Sequence, residues 1–389
     1  MSPFRLRRLS LDEIRALHAA GASLSVESRV GQILSEVELE GESALRRWAV
    51  ELGDLEVDQP LTIAAEELAD ALEQITETQR GVLERVAGRI GDFAERQRAA
   101  LAEVELAVPG GRVGHRLIPV GVAGCYAPGG RYPLPSSVLM TAVTARAAGV
   151  EQVWLASPRP SLETRAAAAI AGVDGLLAIG GAQAVAALAF GVGGVPSCDV
   201  VVGPGNVWVT TAKRLLTGRV GIDLLAGPSE LVVLADETAD PALVAADLLA
   251  QAEHDGEALP VLVTPAASLI PKVETELEAQ LGDLSTAETA GLALERGGAV
   301  LTEDLDEAVD LINRLAPEHL QIMTRQAASV GRRCRNYGGL FVGPMSPEVL
   351  GDYGAGPNHT LPTGGTARFA SGLSVSSFLG VRTWIEIDS

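Results

Sequence analysis

The spacing of apolar residues changes twice along the chain. From about residue 9 to 105 they recur three and four positions apart, as in Val30, Ile33, Leu34 and Val37, with polar residues between. That period belongs to amphipathic helices, so this region reads as almost wholly helical. Ser10 is placed to cap a helix over 11–20, and Ser23 and Ser25 open a longer one. A third helix is expected over about 64–75 and a fourth from Gln79 towards Leu106. His18 lies alone on one of these helical faces, usually a surface or packing position.

From Ile118 short apolar runs alternate with Ala-rich segments. Strands are expected near 121–126, 152–155, 175–178 and 199–202, with helices near 138–148, 162–171, 182–190 and 207–216. Such alternation implies parallel strands joined by crossovers, a doubly wound sheet whose ligands bind at the carboxyl ends of its strands. Three loops fall at those ends: Ala127-Pro-Gly-Gly-Arg-Tyr-Pro133, Ile179-Gly-Gly-Ala-Gln183 and Gly203-Pro-Gly-Asn206. Their glycines allow close backbone approach to a ligand, although no Gly-x-Gly-x-x-Gly fingerprint follows a strand. Tyr126, Gln183 and Asn206 are ligand contacts or ordinary turn residues on this reading.

A second alternation begins at Gly227-Pro-Ser229-Glu230, with strands near 231–235, 260–264, 299–301, 320–323 and 339–342. Helices are expected over 241–254, 269–280 and 305–315. Gln251 and His254 stand three apart at the end of the first of these, on one helical face. A carbonyl oxygen and an imidazole nitrogen are thereby aimed at one volume, which a divalent metal such as zinc could occupy. Asp352 and His359 lie in a Gly- and Pro-rich loop, and one of them could complete a three-ligand site with an open position. Glu318 and His319 sit side by side at an element boundary, which suits a general base beside a water-activating carboxylate and also suits a plain surface turn.

Composition narrows the function. With 47% hydrophobic and 21% charged residues the chain is globular, and 389 residues suggest two or three domains. A formal charge of −20 argues against nucleic acid or an anionic membrane as partner. Three widely spaced cysteines, Cys125, Cys198 and Cys334, argue against a disulfide framework or a Cys-rich zinc site and point to the cytoplasm. The basic start lacks an apolar signal core, and Asp174, Gly180, Gly181 and Gln183 interrupt the apolar run over 166–195, so no membrane span is expected.

Taken together, these motifs resemble the histidinol dehydrogenase family over nearly the whole chain. The residues that carry the resemblance are Pro128-Gly-Gly130 with Pro135-Ser-Ser-Val-Leu-Met140, Gly180-Gly-Ala-Gln-Ala184, Gly203-Pro-Gly-Asn206, Ala226-Gly-Pro-Ser-Glu230, Gln251-Ala-Glu-His254, Pro317-Glu-His-Leu320 and Asn358-His-Thr-Leu-Pro362. The resemblance implies NAD-dependent oxidation of a small amino alcohol to an amino acid through an aldehyde, with one zinc per subunit. It implies that Gln251, His254 and Asp352 bind zinc, and that His319 takes the alcohol proton. Glu318 would activate the water that hydrates the aldehyde. Tyr126, Gln183 and Asn206 would line the NAD site, while Ser229, Gln251, His254, His319, Asp352 and His359 would surround the substrate. The implied fold is α/β, with two Rossmann-like doubly wound domains, the second inserted into the first, and a helical N-terminal region. In residue numbers, 1–117 would join 231–365, 118–230 would form the inserted NAD domain and 366–389 a C-terminal stub, in a homodimer built by exchange of terminal segments.

The family pattern continues past Trp384-Ile-Glu-Ile-Asp-Ser389 with a further zinc-binding histidine and a substrate-binding glutamate that reach the partner subunit. Neither is among these 389 residues, whose histidines are His18, His115, His254, His319 and His359. The expectation is therefore weakened zinc binding, with histidinol or a related small alcohol as substrate. The competing reading is a non-catalytic homologue that binds NAD or metal as a partner subunit.

Overall fold

The computed structural model describes residues 4–18, 23–129, 133–352 and 354–388. The chain forms two compact units, one holding residues 1–21, 226–352 and 361–372, the other 22–225, 353–360 and 373–389. Helix α1 (Leu11–His18) belongs to the first. Ser10 caps it reciprocally with Glu13, whose carboxylate accepts the Ser10 N–H while Ser10 Oγ accepts the Glu13 N–H.

The second unit begins with α2 (Leu24–Glu40), capped by the Ser23 side chain, and buries Val30, Ile33, Leu34 and Val37 as their spacing predicts. There follow α3 (Glu42–Glu51), β1 (Thr62–Ala64), α4 (Ala65–Gln74) and α5 (Glu77–Ala99), the last opened by a Thr76/Gln79 capping box. Two strands, β2 (Val104–Val108) and β3 (Gly111–Pro119), come next. The alternating part then runs β4 (Val122–Tyr126), α6 (Pro135–Ala148), β5 (Gln152–Ala156), α7 (Leu162–Ala171), β6 (Gly175–Leu177), α8 (Gly181–Phe190), β7 (Val200–Val202), α9 (Val207–Leu216) and β8 (Gly221–Ile222). The sheet order is β1-β6-β5-β4-β7-β8, parallel except for β1. The chain steps outward from β4 to β6, then returns past β4 to β7. That reversal is a topological switch point, and it opens a crevice at the carboxyl ends of β4 and β7.

The first unit resumes with β9 (Glu230–Ala235), α10 (Pro241–Ala252), β10 (Leu259–Thr264), α11 (Ile270–Leu281), α12 (Ala287–Arg296), β11 (Gly298–Leu301), α13 (Leu305–Leu315), β12 (His319–Met323), α14 (Ala327–Gly331) and β13 (Gly339–Val342). All five strands are parallel, in the order β11-β10-β9-β12-β13. Along β9 the side chains alternate between two cores: Leu231, Val233 and Ala235 pack with α10, α11 and α12, while Val232 and Leu234 pack with α1 and α13. A strand buried on both faces in this way reads as an unbroken apolar run, which is why β9 was legible. The last strand, β14 (Leu379–Ile387), returns to the second unit and pairs antiparallel with β3 from Leu379↔Pro119 to Ile387↔Gly111, giving a sheet of order β14-β3-β2.

Several expectations change. The helix expected to run towards Leu106 ends at Ala99, and Val104–Val108 is a strand paired with β3. The stretch 366–389 is no stub, since most of its end is β14. Residues 23–117 group with the six-stranded sheet and not with 231–365, because α2 packs on α8 and α9, α4 on α7 and α5 on α6. Among the described residues no helix is long and apolar enough to cross a membrane, and the three cysteines are buried and unpaired.

Candidate active site

Glu318 and His319 lie at the amino ends of the first unit's strands, not at the carboxyl ends where open sheets usually bind ligands. Glu318 precedes β12 and is buried. Its Oε2 accepts the Ser229 hydroxyl at 2.6 Å and the Glu230 N–H at 2.9 Å. Burial pushes its carboxyl up to about 8, against the two hydrogen bonds, which pull down; the Glu230 charge adds to the rise and His254 opposes it. His319 Nδ1 lies 3.1 Å from the Glu230 carbonyl oxygen. A carbonyl only accepts, so Nδ1 carries the proton and Nε2 is the basic nitrogen.

That Nε2 faces Glu348 Oε1 at 3.5 Å. Glu348 opens a short 3-10 turn over Glu348–Gly351, and burial pushes it up to about 7, with His319 opposing and the charges of Asp352, Glu318 and Asp247 adding to the rise. Asp247 sits one turn before Gln251 on the buried face of α10 and is pushed up to about 6 by burial. Neither Asp247 Oδ2 nor Gln251 Oε1, both buried, has a hydrogen-bond partner among the described residues.

The helix that carries Gln251 ends at Ala252, so His254 is not on its face as expected. It stands exposed in the following turn, with its N–H on the Gln251 carbonyl at 3.3 Å. Among the described residues no three His, Cys, Asp or Glu side chains gather closely enough to hold a metal ion. A glutamine falls outside that count, and the orphaned Gln251 oxygen beside buried carboxyls is the chemistry a hard cation satisfies. In that sense the residues present fit a divalent metal.

In the second unit, Tyr126 ends β4, Gln183 lies in the first turn of α8, and Asn206 follows β7. Tyr126 is buried, its hydroxyl accepts the Gly181 N–H at 3.1 Å, and burial pushes it up to about 12. Asn206 is exposed and caps α9, accepting the N–H groups of Trp208 and Val209 at 3.1 and 3.2 Å, so its turn role is real. Gly203 has φ +115°, and a Cβ there would meet the Tyr126 carbonyl oxygen at 2.1 Å, so the loop after β7 requires glycine at this point. A buried pair pins it: Asp223 accepts the Gly203 N–H at 2.8 Å and Lys213 donates to the Gly203 carbonyl at 2.8 Å. His359 Nε2 lies 3.4 Å from Ser137 Oγ, and both residues belong to the second unit, whereas Glu318 belongs to the first. Gly130, Arg131 and Tyr132 of the first glycine loop, and Tyr353, lie outside the described residues.

Sequence reasoning missed Glu230, Glu348 and Asp247, and it read His18 as a surface or packing position. His18 Nε2 pairs with the Glu230 carboxylate, whose other oxygen accepts the N–H groups of Glu318 and Gly364 at 3.2 and 3.0 Å. Only the Ala226-Gly-Pro-Ser-Glu230 motif signalled any of these.

Comparison with known proteins fits this arrangement. The chain is 46% identical over 376 residues to a histidinol dehydrogenase of Thermus thermophilus, covering 95% of this chain and 90% of that one. A crystal structure of histidinol dehydrogenase from Elizabethkingia anophelis superposes with a TM-score of 0.91 at 28% identity, over 99% of this chain and 90% of that one. An acetylating aldehyde dehydrogenase from Geobacillus thermoglucosidasius shares the fold alone, with a TM-score of 0.51 at 15% identity over 93% of this chain and 97% of that one. The histidinol dehydrogenase family model matches residues 18–389, and the chain belongs to that family.

Proposed function

We propose that the chain oxidises L-histidinol through L-histidinal to L-histidine with NAD, in the last steps of histidine biosynthesis. The observation that carries this is the buried Glu318–His319 pair, with Glu318 held through Oε2 by Ser229 and Glu230 and His319 held through Nδ1 by the Glu230 carbonyl. One alcohol, one water and two NAD give one carboxylate, two NADH and three protons.

His319, held by the Glu230 carbonyl as the Nδ1–H tautomer, offers Nε2 to the alcohol proton. Both hydrogen bonds to Glu318 go to Oε2, so Oε1 is the oxygen left to take a proton from the water that adds to the aldehyde. Ser229 orients that carboxylate through its hydroxyl and would also contact the substrate. Gln251, His254 and Asp352 would hold zinc, with His359 a further substrate contact, and Tyr126, Gln183 and Asn206 would line the dinucleotide site. When bound, NAD supplies the hydride acceptor and zinc a Lewis acid for the substrate's nitrogens. The same reading makes the enzyme a cytoplasmic homodimer acting on a small molecule.

The test is NADH formation from histidinol with zinc supplied. Two NADH per histidinol are expected, and His319→Asn should abolish turnover while NAD still binds. No NADH from histidinol under these conditions would overturn the proposal and favour a non-catalytic binding subunit.

A further inference from the structure

Asp54, in the loop that leaves α3, lies in a region whose sequence shows only scaffold, yet it reaches the start of α8. Its Oδ2 accepts the Gly180 N–H at 3.0 Å and the Gln183 Nε2–H at 3.0 Å. A carboxylate oxygen between two N–H donors only accepts, so the Gln183 amide is turned one way, with Nε2 on Asp54 and Oε1 away from it. That Oε1 is buried and has no hydrogen-bond donor among the described residues. A buried amide oxygen left this way is rare in folded proteins and calls for a ligand or water. The space beside it depends on glycine: a Cβ at Gly181, where φ is +66°, would come within 2.8 Å of Oε1.

The same contacts restrict what can bind there. A helix N-terminus is the ordinary seat of a pyrophosphate. Here the Gly180 N–H is taken by Asp54 and the Gly181 N–H by the Tyr126 hydroxyl. A phosphate would meet a carboxylate and an amide oxygen, both acceptors.

We infer that Asp54 is a positioning residue for Gln183, and that Gln183 Oε1 accepts an O–H or N–H of the dinucleotide, a ribose hydroxyl or the carboxamide, and not a phosphate. This rests on the NAD reading above.

The test uses the full chain with zinc, saturating histidinol and varied NAD. Asp54→Ala removes the acceptor and lets the Gln183 amide turn over, so KM for NAD should rise about tenfold, the worth of one hydrogen bond, with kcat within about twofold, whereas Asp54→Asn, whose Oδ1 can accept both N–H groups, should stay near wild type. Gln183→Glu should raise KM as much. Nicotinic acid adenine dinucleotide separates the donors. Binding about tenfold weaker than NAD in the wild type, and equal to NAD in Gln183→Met, identifies the carboxamide; equal binding in both identifies a ribose hydroxyl. An active Asp54→Ala with KM within about twofold of wild type overturns the inference, as does an active Asp54→Asn no better than Asp54→Ala. Where Asp54→Ala does not fold, Gln183→Met decides, and an unchanged KM overturns. A wild type that reduces no NAD fails the NAD reading instead.

Discussion

Glu230 and Glu318 exchange hydrogen bonds across two neighbouring strand starts: the Glu230 N–H donates to Glu318 Oε2 at 2.9 Å, and the Glu318 N–H donates to Glu230 Oε1 at 3.2 Å. Each carboxylate holds the other residue's backbone, and two buried acids stand close enough for one charge to raise the other's proton affinity. This makes the candidate acid–base site a property of both strands together.

In the proposed reaction Glu318 accepts the water's proton, so Glu318→Gln should lower kcat by a factor of about 10² to 10⁴. Glu230→Gln keeps an acceptor oxygen for the Glu318 N–H and removes the charge, so the Glu318 carboxyl should ionise more readily. The acid limb of the kcat/KM profile should then move to lower pH, which a pH series on both proteins reads directly.

Stability should fall as pH rises in the metal-free protein. Glu318 and Glu348 are pushed up to about 8 and about 7 from an ordinary value of 4.5. Between about 4.5 and 8 the folded state therefore keeps protons that the unfolded chain has released, so stability is fullest below that window and is lost across it. Glu348→Gln should flatten the slope. Urea midpoints measured at pH 5 and pH 8.5 check this, and equal slopes in the two proteins would refute it.

Metal binding should show as a stability change even without turnover. Zinc at about 100 times its dissociation constant should add about 2.7 kcal/mol, if it binds only the folded chain. Gln251→Ala and His254→Ala should each reduce that gain, and dialysis against a chelator should reverse it. Thermal melts with zinc and with chelator compare the three proteins.

The Lys213–Asp223 pair, 2.5 Å apart and almost wholly buried, should be costly to break from one side. Lys213→Met leaves the Asp223 charge unpaired and frees the Gly203 carbonyl, at about 3–5 kcal/mol. Lys213→Met with Asp223→Leu should recover part of that loss while leaving Gly203 without its clamp. Denaturant unfolding of the single and double variants gives the comparison.

The alternation of apolar runs with Ala-rich segments located β4 to β7 and β9 to β13 within a few residues, because strands buried on both faces and the helices that cover them need long apolar stretches whatever their partners. The motif residues Glu318, His319, Gln251 and Gln183 stood out for the same local reason, as polar side chains set at element ends. Other features depended on partners distant in sequence. The strand β1 forms by pairing antiparallel with β6, more than a hundred residues on, which nothing near Thr62–Ala64 announces. The Pro241 run reads as helical through His254, yet the helix stops at Ala252 and the histidine stands exposed in the turn that follows. Glu230, Glu348 and Asp54 are ordinary acids in the sequence. Their roles come from what the fold sets beside them: a second buried acid, an imidazole nitrogen and a glutamine amide. Local pattern determines which segments can be buried, whereas proton affinity and hydrogen-bond direction depend on neighbours that only the tertiary structure supplies.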